Sequence, residues 1–401
     1  PAVSHTFFLT EILALRARGF SIETASINGV APPSDGFSAV ENNEIASTFY
    51  VKGSSKVSSA LHALCIALLH PVVLLRGLRA ALTLEPWNLR ATALALFYLA
   101  EALLVGEWMR KTQCRHLHVH FSGPVASVGL LASRAWQVPF SLSVHGPDEF
   151  YNIDKFYLAE KVLAATFVCC ISDFCRSQVL RILPTTQWHK VHVCRLGVDP
   201  EAFSPGMREA RTPLRVMSVG RLHPSKGQSI LIAALAQLRA RGVMLHLDLV
   251  GGGTNRAELE KLIVAEGLQE AVTLHGALSH ERTRTLLKQA DIFVLSSFAE
   301  GLPVALMEAM ATQVPSICTF IAGVPELLDS TAVGSMVAPG NVEELAAAIE
   351  VFAVDAARRE AVGIAGRKKV VADFNIATNT DRRASVFLQY VALQNSAESG
   401  T

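Results

Sequence analysis

Two rhythms alternate through the second half of the chain. Short segments rich in apolar residues at 215–219, 245–250, 272–274, 292–296, 316–318 and 335–337 read as strands, and stretches of helical periodicity lie between most of them. Strand followed by helix, repeated, predicts a parallel sheet with helices packed on it. From Arg115 the first half has the same rhythm, with strands at 116–120, 140–144, 166–171 and 191–195 and helices at 126–136 and 155–165. Before that lie a helical stretch over 9–18 that stops at Gly19, an alternating strand over 20–27, a loop rich in Pro, Ser, Asp and Asn, and a short strand at 48–51. A helical stretch over 379–393 closes the chain.

The oiliest segments are 57–75 and 91–106, almost without charge. The first approaches the length of a membrane span, but Ser58, Ser59, His62 and above all His70-Pro71 break it, so helices packed on a sheet are expected. A second possibility stays open: residues 71–84, with Arg76, Arg79 and Arg90, rest on an anionic lipid surface.

Composition narrows the picture. A chain of 401 residues exceeds one ordinary core and predicts two domains. A net charge of +1 gives no polyelectrolyte signature, which argues against a nucleic-acid partner. The seven cysteines have no Cys-x-x-Cys or His/Cys ligand spacing and read as reduced core residues of a cytoplasmic chain, with neither disulfides nor zinc implied. No signal peptide is visible, although the chain opens at Pro1 and an upstream segment stays open.

The chemistry concentrates after the run at 292–295. Ser296-Ser297-Phe298-Ala299-Glu300-Gly301-Leu302-Pro303-Val304 reads as an acidic loop leading into a helix that carries Glu308. Glu300 falls at the carboxyl end of a strand, where open α/β sheets bind ligands. Two carboxylates at this spacing can grip the hydroxyls of a polyol, while N–H groups at the helix start, from Gly301 to Val304, can hold phosphate. Alone, the same stretch reads equally as a helix cap and a surface charge. Earlier, Gly220-Arg221-Leu222-His223-Pro224-Ser225-Lys226-Gly227 follows a strand and opens a helix, and its Arg221 and Lys226 can straddle a diphosphate. Gly251-Gly252-Gly253 also follows a strand, but Arg256 stands where a dinucleotide fingerprint needs its last glycine. His145-Gly146 ends the strand at 140–144, and His118 and His120 alternate on a neighbouring one.

Glu-x7-Glu within Glu300-Gly-Leu-Pro and Glu308-Ala-Met-Ala, together with Gly220-Arg221-Leu222 and Lys226-Gly227, resembles the signature of the retaining glycosyltransferases of family 4, the glycosyl transferases group 1. The resemblance is strong from about 195 to 378 and weaker before. It implies a GT-B fold, two Rossmann-like domains facing a cleft. Residues 1–205 would form an acceptor-binding domain, 206–378 a nucleotide-sugar domain, and 379–401 a helix crossing back to the first. The linker would be Leu196-Gly197-Val198-Asp199-Pro200-Glu201-Ala202-Phe203-Ser204-Pro205.

The opening Pro-x-x-Ser4-x-Thr6-Phe is similar to a phosphate-contacting loop of exopolysaccharide-type members, and implies that a first strand lies upstream. By the same resemblance Arg221 and Lys226 neutralise the leaving diphosphate, Glu308 binds the ribose, Glu300 the donor sugar, and His145 lies beside the transferred sugar. Gly220, Gly251, Gly252 and Leu278 would line the nucleotide, and Glu326 of Gly323-Val324-Pro325-Glu326 would be structural. The expected activity is hexosyl transfer from a UDP- or GDP-sugar to a glycan or lipid-linked acceptor, in exopolysaccharide or envelope synthesis, with no cofactor or metal required. The protein would be cytoplasmic, or peripheral on the inner face of the cell membrane. Front-face departure and double displacement both stay open. So do a nucleotide-sugar 2-epimerase on the same fold and a non-catalytic nucleotide-sugar binder. The broken glycine fingerprint disfavours a nicotinamide-dependent oxidoreductase.

Overall fold

A computed structural model describes residues 6–29, 36–52, 56–84, 88–151, 153–154, 156–206 and 211–398. The chain divides into two compact units. One is built on Asn43–Cys194, with Leu15–Val30 and the stretch from Arg382 onward; the other is built on Arg195–Asp381, with chain from the first 42 residues added. The division falls at Cys194/Arg195, shortly before the Pro205 suggested by the linker.

Among the described residues the N-terminal unit has two sheets. The strands expected at 20–27 and 48–51 shrink to a two-residue parallel ladder, β1 (Ala25–Ser26) on β2 (Phe49–Tyr50). The cause is local: the Arg16 guanidinium takes the Ile22 carbonyl at 2.7 Å, so the first part of the alternating run gives its backbone to a side chain. Arg16 and Thr24 both end on the buried Glu44 carboxylate, which fixes the turn. The main sheet is four-stranded and wholly parallel, in the order β3 (Leu117–His120), β4 (Phe140–Val144), β5 (Val168–Cys170), β6 (Val191–Val193).

Helices Lys56–Leu69 and Pro71–Leu84 come from the first oily run and meet at 111°. Pro71 removes a donor and disfavours helix in the residue before it, so the run breaks there. The second oily run is one helix, Leu89–Thr112, started by Asn88, whose side chain accepts from the Ala91 N–H. Helix Pro124–Trp136 lies between this helix and the sheet. Two glycines permit the approach: a Cβ on Gly106 would come within 2.1 Å of the Trp136 ring, and one on Gly129 within 2.7 Å of Val119. The closing helix, Ile376–Glu398, is longer than the expected 379–393, and from Arg382 it belongs to this unit. There the Phe387 and Tyr390 rings pack on Phe167 at 5.0 and 4.9 Å, and buried Arg383 donates to the Cys194 carbonyl.

The second unit carries a six-stranded parallel sheet. Its strands are β7 (Leu214–Val219), β8 (Leu245–Val250), β9 (Val272–Gly276), β10 (Ile292–Leu295), β11 (Ser316–Thr319) and β12 (Ser335–Val337), in the order β12-β11-β10-β7-β8-β9. Chain order thus runs outward from β7 on one side and from β10 on the other, the doubly wound arrangement. Ile292-Phe-Val-Leu295 is buried along its whole length, as a central strand covered on both faces must be. Helices Gln228–Ala240, Arg256–Ala265, His280–Gln289, Val304–Ala311, Val342–Val354 and Ala356–Asp373 supply the cover.

Helix Ala356–Asp373 sets the position of helix Val304–Ala311 by close contact. Gln313, at φ 59° just past that helix, lies so near Gly363 that a Cβ there would sit 2.2 Å from the Gln313 carbonyl oxygen. Gly363→Ala is expected to destabilise this unit by about 1–3 kcal/mol, read as a lower urea midpoint. An unchanged midpoint would show that this contact does not set the helix position.

Candidate active site

The loops after β7 and β10 leave neighbouring strands at the point where the strand order turns, and ligands of open α/β sheets bind at that point. The first loop carries Gly220, Arg221 and Lys226, the second Glu300 to Pro303. Backbone contact makes them one body. The Phe298 N–H donates to the Ser225 carbonyl at 2.8 Å, and the Ser296 hydroxyl to the Gly227 carbonyl at 2.7 Å. Gly227 is left-handed, at φ 61°, and a Cβ there would strike the Ser296 carbonyl at 2.1 Å. Only glycine fits both demands.

Across this junction the Lys226 ammonium meets the Glu300 carboxylate at 2.7 Å, and the Ser297 hydroxyl donates to the same oxygen at 2.6 Å. Glu300 is buried and Lys226 partly so. Arg221 points outward: its guanidinium is exposed and makes no ion pair among the described residues, while Gln228 holds its carbonyl at 2.8 Å. The Arg221 loop in turn rests on the glycine run. A Cβ on Gly251 would sit 1.9 Å from the Gly220 carbonyl oxygen and one on Gly253 2.2 Å from that of Leu222, whereas Gly252 has room. Two of the three glycines therefore serve loop-on-loop packing. Leu278 is buried beyond the end of β9.

Pro303 is the residue before the helix rather than inside it; it holds an extended φ of −73° and gives the first turn no side-chain bond. Leu302 beneath it is buried. Gly301 accepts from the Gly323 N–H at 3.1 Å, which joins the turn of Val324–Leu327 to the site loop, and Glu326 of that turn pairs with Arg195 at 3.0 Å. Glu308, halfway along its helix and buried, does not share a partner with Glu300. Its carboxylate meets His280 Nε2 at 2.9 Å. That contact raises the His280 pKa above its usual value against the opposing pull of burial. The sequence carries no signal for Ser297 or His280, because a serine three residues before a glutamate and a histidine at a helix start have no distinctive spacing.

In the N-terminal unit, His145 follows β4. Its Nε2 meets His120 Nδ1 at 3.0 Å, so His120 of the adjoining strand is its direct neighbour. The Glu149 carboxylate gathers the backbone N–H groups of Ser122, His145 and Gly146. Fully buried Lys161 donates to the carbonyls of Ser122 at 2.7 Å and Gly123 at 2.9 Å. Burial draws the Lys161 ammonium down to about 7, with Glu149 acting in the opposite direction. The neighbouring imidazoles form a ladder through Ser141 and Ser143, with His118 at its centre held well below its usual value by burial and then by His120. Thr6 opens helix Thr6–Arg16, and Ser4 lies outside the described residues.

A doubly wound parallel sheet with a cation and a carboxylate at its turning point, joined to a second parallel α/β unit, defines a protein of the GT-B class. Residues 201–369 match the family described as glycosyl transferases group 1, and residues 68–202 match glycosyltransferase family 4. The chain belongs to family 4 of the glycosyltransferases. It is similar to the amylovoran biosynthesis glycosyltransferase AmsK of Erwinia amylovora, 35% identical over 46% of this chain and 47% of AmsK. It is also similar to the alpha-D-kanosaminyltransferase of Streptomyces kanamyceticus, 28% identical over 68% of this chain and 76% of that protein. The chain spans about half the length of the first curated relatives it matches. Among solved structures, Anabaena HepE in complex with UDP-glucose superposes with a TM-score of 0.65 at 20% identity, over 72% of this chain and 82% of HepE.

The Glu308–His280 pair makes stability depend on pH. A histidine whose folded pKa lies above its unfolded value of about 6.5 stabilises fully below that value and ceases to as pH rises through the folded one. His280→Gln is therefore expected to lower the urea midpoint more at pH 6 than at pH 9. An equal loss at both would show that no charged pair forms.

Proposed function

We propose that the chain moves a hexosyl group from a nucleoside diphosphate sugar to an acceptor hydroxyl, with retention of anomeric configuration. The observation that carries this is the Lys226–Glu300 pair at the turning point of the sheet, with the exposed Arg221 on the same loop. An ammonium has three donors, so Lys226 can keep Glu300 on one and offer the others to a phosphate. Arg221 adds a planar fork suited to a second phosphate oxygen. Both cations are positioned before the sugar–phosphate bond weakens, when negative charge grows on the diphosphate, and fixed charge then favours departure without reorganisation.

Glu300 is oriented by Lys226 and Ser297 and keeps acceptor capacity for a sugar hydroxyl. Glu308 would exchange His280 for the ribose hydroxyls. Gly301 to Val304 would turn helix-start N–H groups toward the phosphates. His145, steadied by His120 and by the Glu149 cradle, would serve the transferred sugar from the N-terminal unit. Charge neutralisation falls to Arg221 and Lys226, so EDTA should leave turnover unchanged.

A UDP-sugar is the favoured donor, supported by HepE having been solved with UDP-glucose. The likeness to the amylovoran biosynthesis glycosyltransferase and to WcaL, named for colanic acid biosynthesis, supports a glycan of the exopolysaccharide type as acceptor, and we take that glycan to be carried on a lipid. The oily helices of the N-terminal unit agree with an acceptor presented at a membrane.

Lys226→Ala should lower turnover about 100- to 1,000-fold with an unchanged circular dichroism spectrum. UDP should raise the thermal midpoint of the wild type, as a ligand of the folded state does. Turnover of the variant at the wild-type rate would sink the diphosphate role. Release of an isomerised nucleotide sugar without acceptor would replace transfer by epimerisation.

A further inference from the structure

We propose that the N-terminal unit rests on an anionic lipid bilayer through one face, formed by helices Lys56–Leu69 and Pro71–Leu84 and the first half of Leu89–Thr112, without spanning it. This deepens the transfer reading by giving the lipid-linked acceptor a surface on which to meet the enzyme. It stands on separate residues.

The two bent helices bury mainly small side chains, together with Ile66, and leave most of their leucines exposed. Ala63, Ala67, Gly77, Ala80 and Ala81 face the core, while Leu61, Leu64, Leu68 and Leu75 stand more than half exposed on the opposite side. Their spacing of three and four puts Leu61, Leu64 and Leu68 on one stripe. Leu89, 89% exposed, and Phe97, 53% exposed, add large apolar side chains on the third helix, which packs against both bent helices. Elsewhere in the unit, large exposed apolar side chains such as Tyr151, Leu163 and Trp188 stand apart in sequence and on separate elements. Exposed apolar side chains concentrated on three adjoining helices mark a surface that meets something apolar.

Charge selects the occupant. Arg76, Arg79 and Arg90 are exposed on the same helices, and among the described residues from 57 to 97 there is no Asp or Glu. Over residues 57–97 three arginines stand against a single carboxylate, Glu85, which lies outside the described residues, so a second copy of the chain would bring a surplus of arginines against arginines. Lipid phosphates answer them directly, because each Lys or Arg near an anionic surface adds to binding. Leucines entering the acyl boundary between arginines at headgroup level is the arrangement of an interfacial helix.

A span is disfavoured by the same residues. Helix Leu89–Thr112 has the length and hydropathy to cross a membrane, but its second half carries Glu101, Glu107, Arg110 and Lys111. Glu101 lies 3.6 Å from Lys52, and Glu107 lies 2.7 Å from Arg110, in a segment packed on helix Pro124–Trp136. A helix that packs its second half there cannot place that half in hydrocarbon. The other pair is bent by 111° within what would be a single crossing.

The test is sedimentation of the full chain with vesicles of phosphatidylglycerol and phosphatidylcholine, and with vesicles of phosphatidylcholine alone. Binding to the anionic vesicles, weakened by salt, is expected. Leu68→Glu with Leu75→Glu, and separately Arg76→Glu with Arg79→Glu, should each weaken it about tenfold or more. The UDP thermal shift of each variant should equal that of the wild type, which reports the fold and the donor site independently. Equal sedimentation of wild type and variants, or no preference for anionic lipid, would overturn the proposal. So would a dimer abolished by the leucine variants with no vesicle binding, or protein that resists alkaline carbonate extraction as a spanning chain does. Vesicle binding as expected with no UDP shift in the wild type would instead count against the transfer reading and leave the docking face standing.

Discussion

The approach of two loop backbones at the turning point of the C-terminal sheet is the constraint on which the site depends. Gly227 lies against Ser296, and the Gly220–Leu222 segment lies against Gly251 and Gly253, so three strand ends are held at backbone distance with no side chain between them. Lys226 and Glu300 then face each other because the loops that bear them cannot separate. The ion pair follows from the packing. A partly exposed salt bridge adds little to stability by itself, whereas its position at the end of β7 and β10 is fixed by contacts that any Cβ would disrupt.

The C-terminal unit was the more legible half. Its strands are rich in apolar residues, with Ile292–Leu295 apolar and buried throughout, the loops after β7 and β8 begin with glycine, and the sequence places all six strands to within a residue or two. The acidic loop is legible as a candidate ligand site because Glu300 follows a strand and precedes a helix. What could not be read was which partner each carboxylate has. Glu300 meets a lysine 74 residues away, and Glu308 a histidine 28 residues away, through strand pairings that no local pattern encodes.

The N-terminal unit was less legible, for two physical reasons. Its alternating run at 20–27 has the pattern of a strand, but Arg16 competes for the backbone and leaves a ladder of two residues. Its polar side chains also form networks that depend on register. His118 faces Ser141 and His120 faces Ser143 only because β3 and β4 pair as they do. A histidine that reads as an isolated strand residue thus becomes the neighbour of His145.

The last helix carries a consequence for the order in which the protein matures. Arg383 closes on the carbonyl of Cys194, and Tyr390 reaches His192, almost 200 residues earlier in the chain. Domains ordinarily fold as they leave the ribosome, N-terminal first. Here the first unit to emerge is among the last to be completed, because the side chains that cover Phe167 are made after the whole of the second sheet. Until then the nascent first unit carries an uncovered aromatic face, and the burden of keeping it from other chains falls on the cell's chaperones.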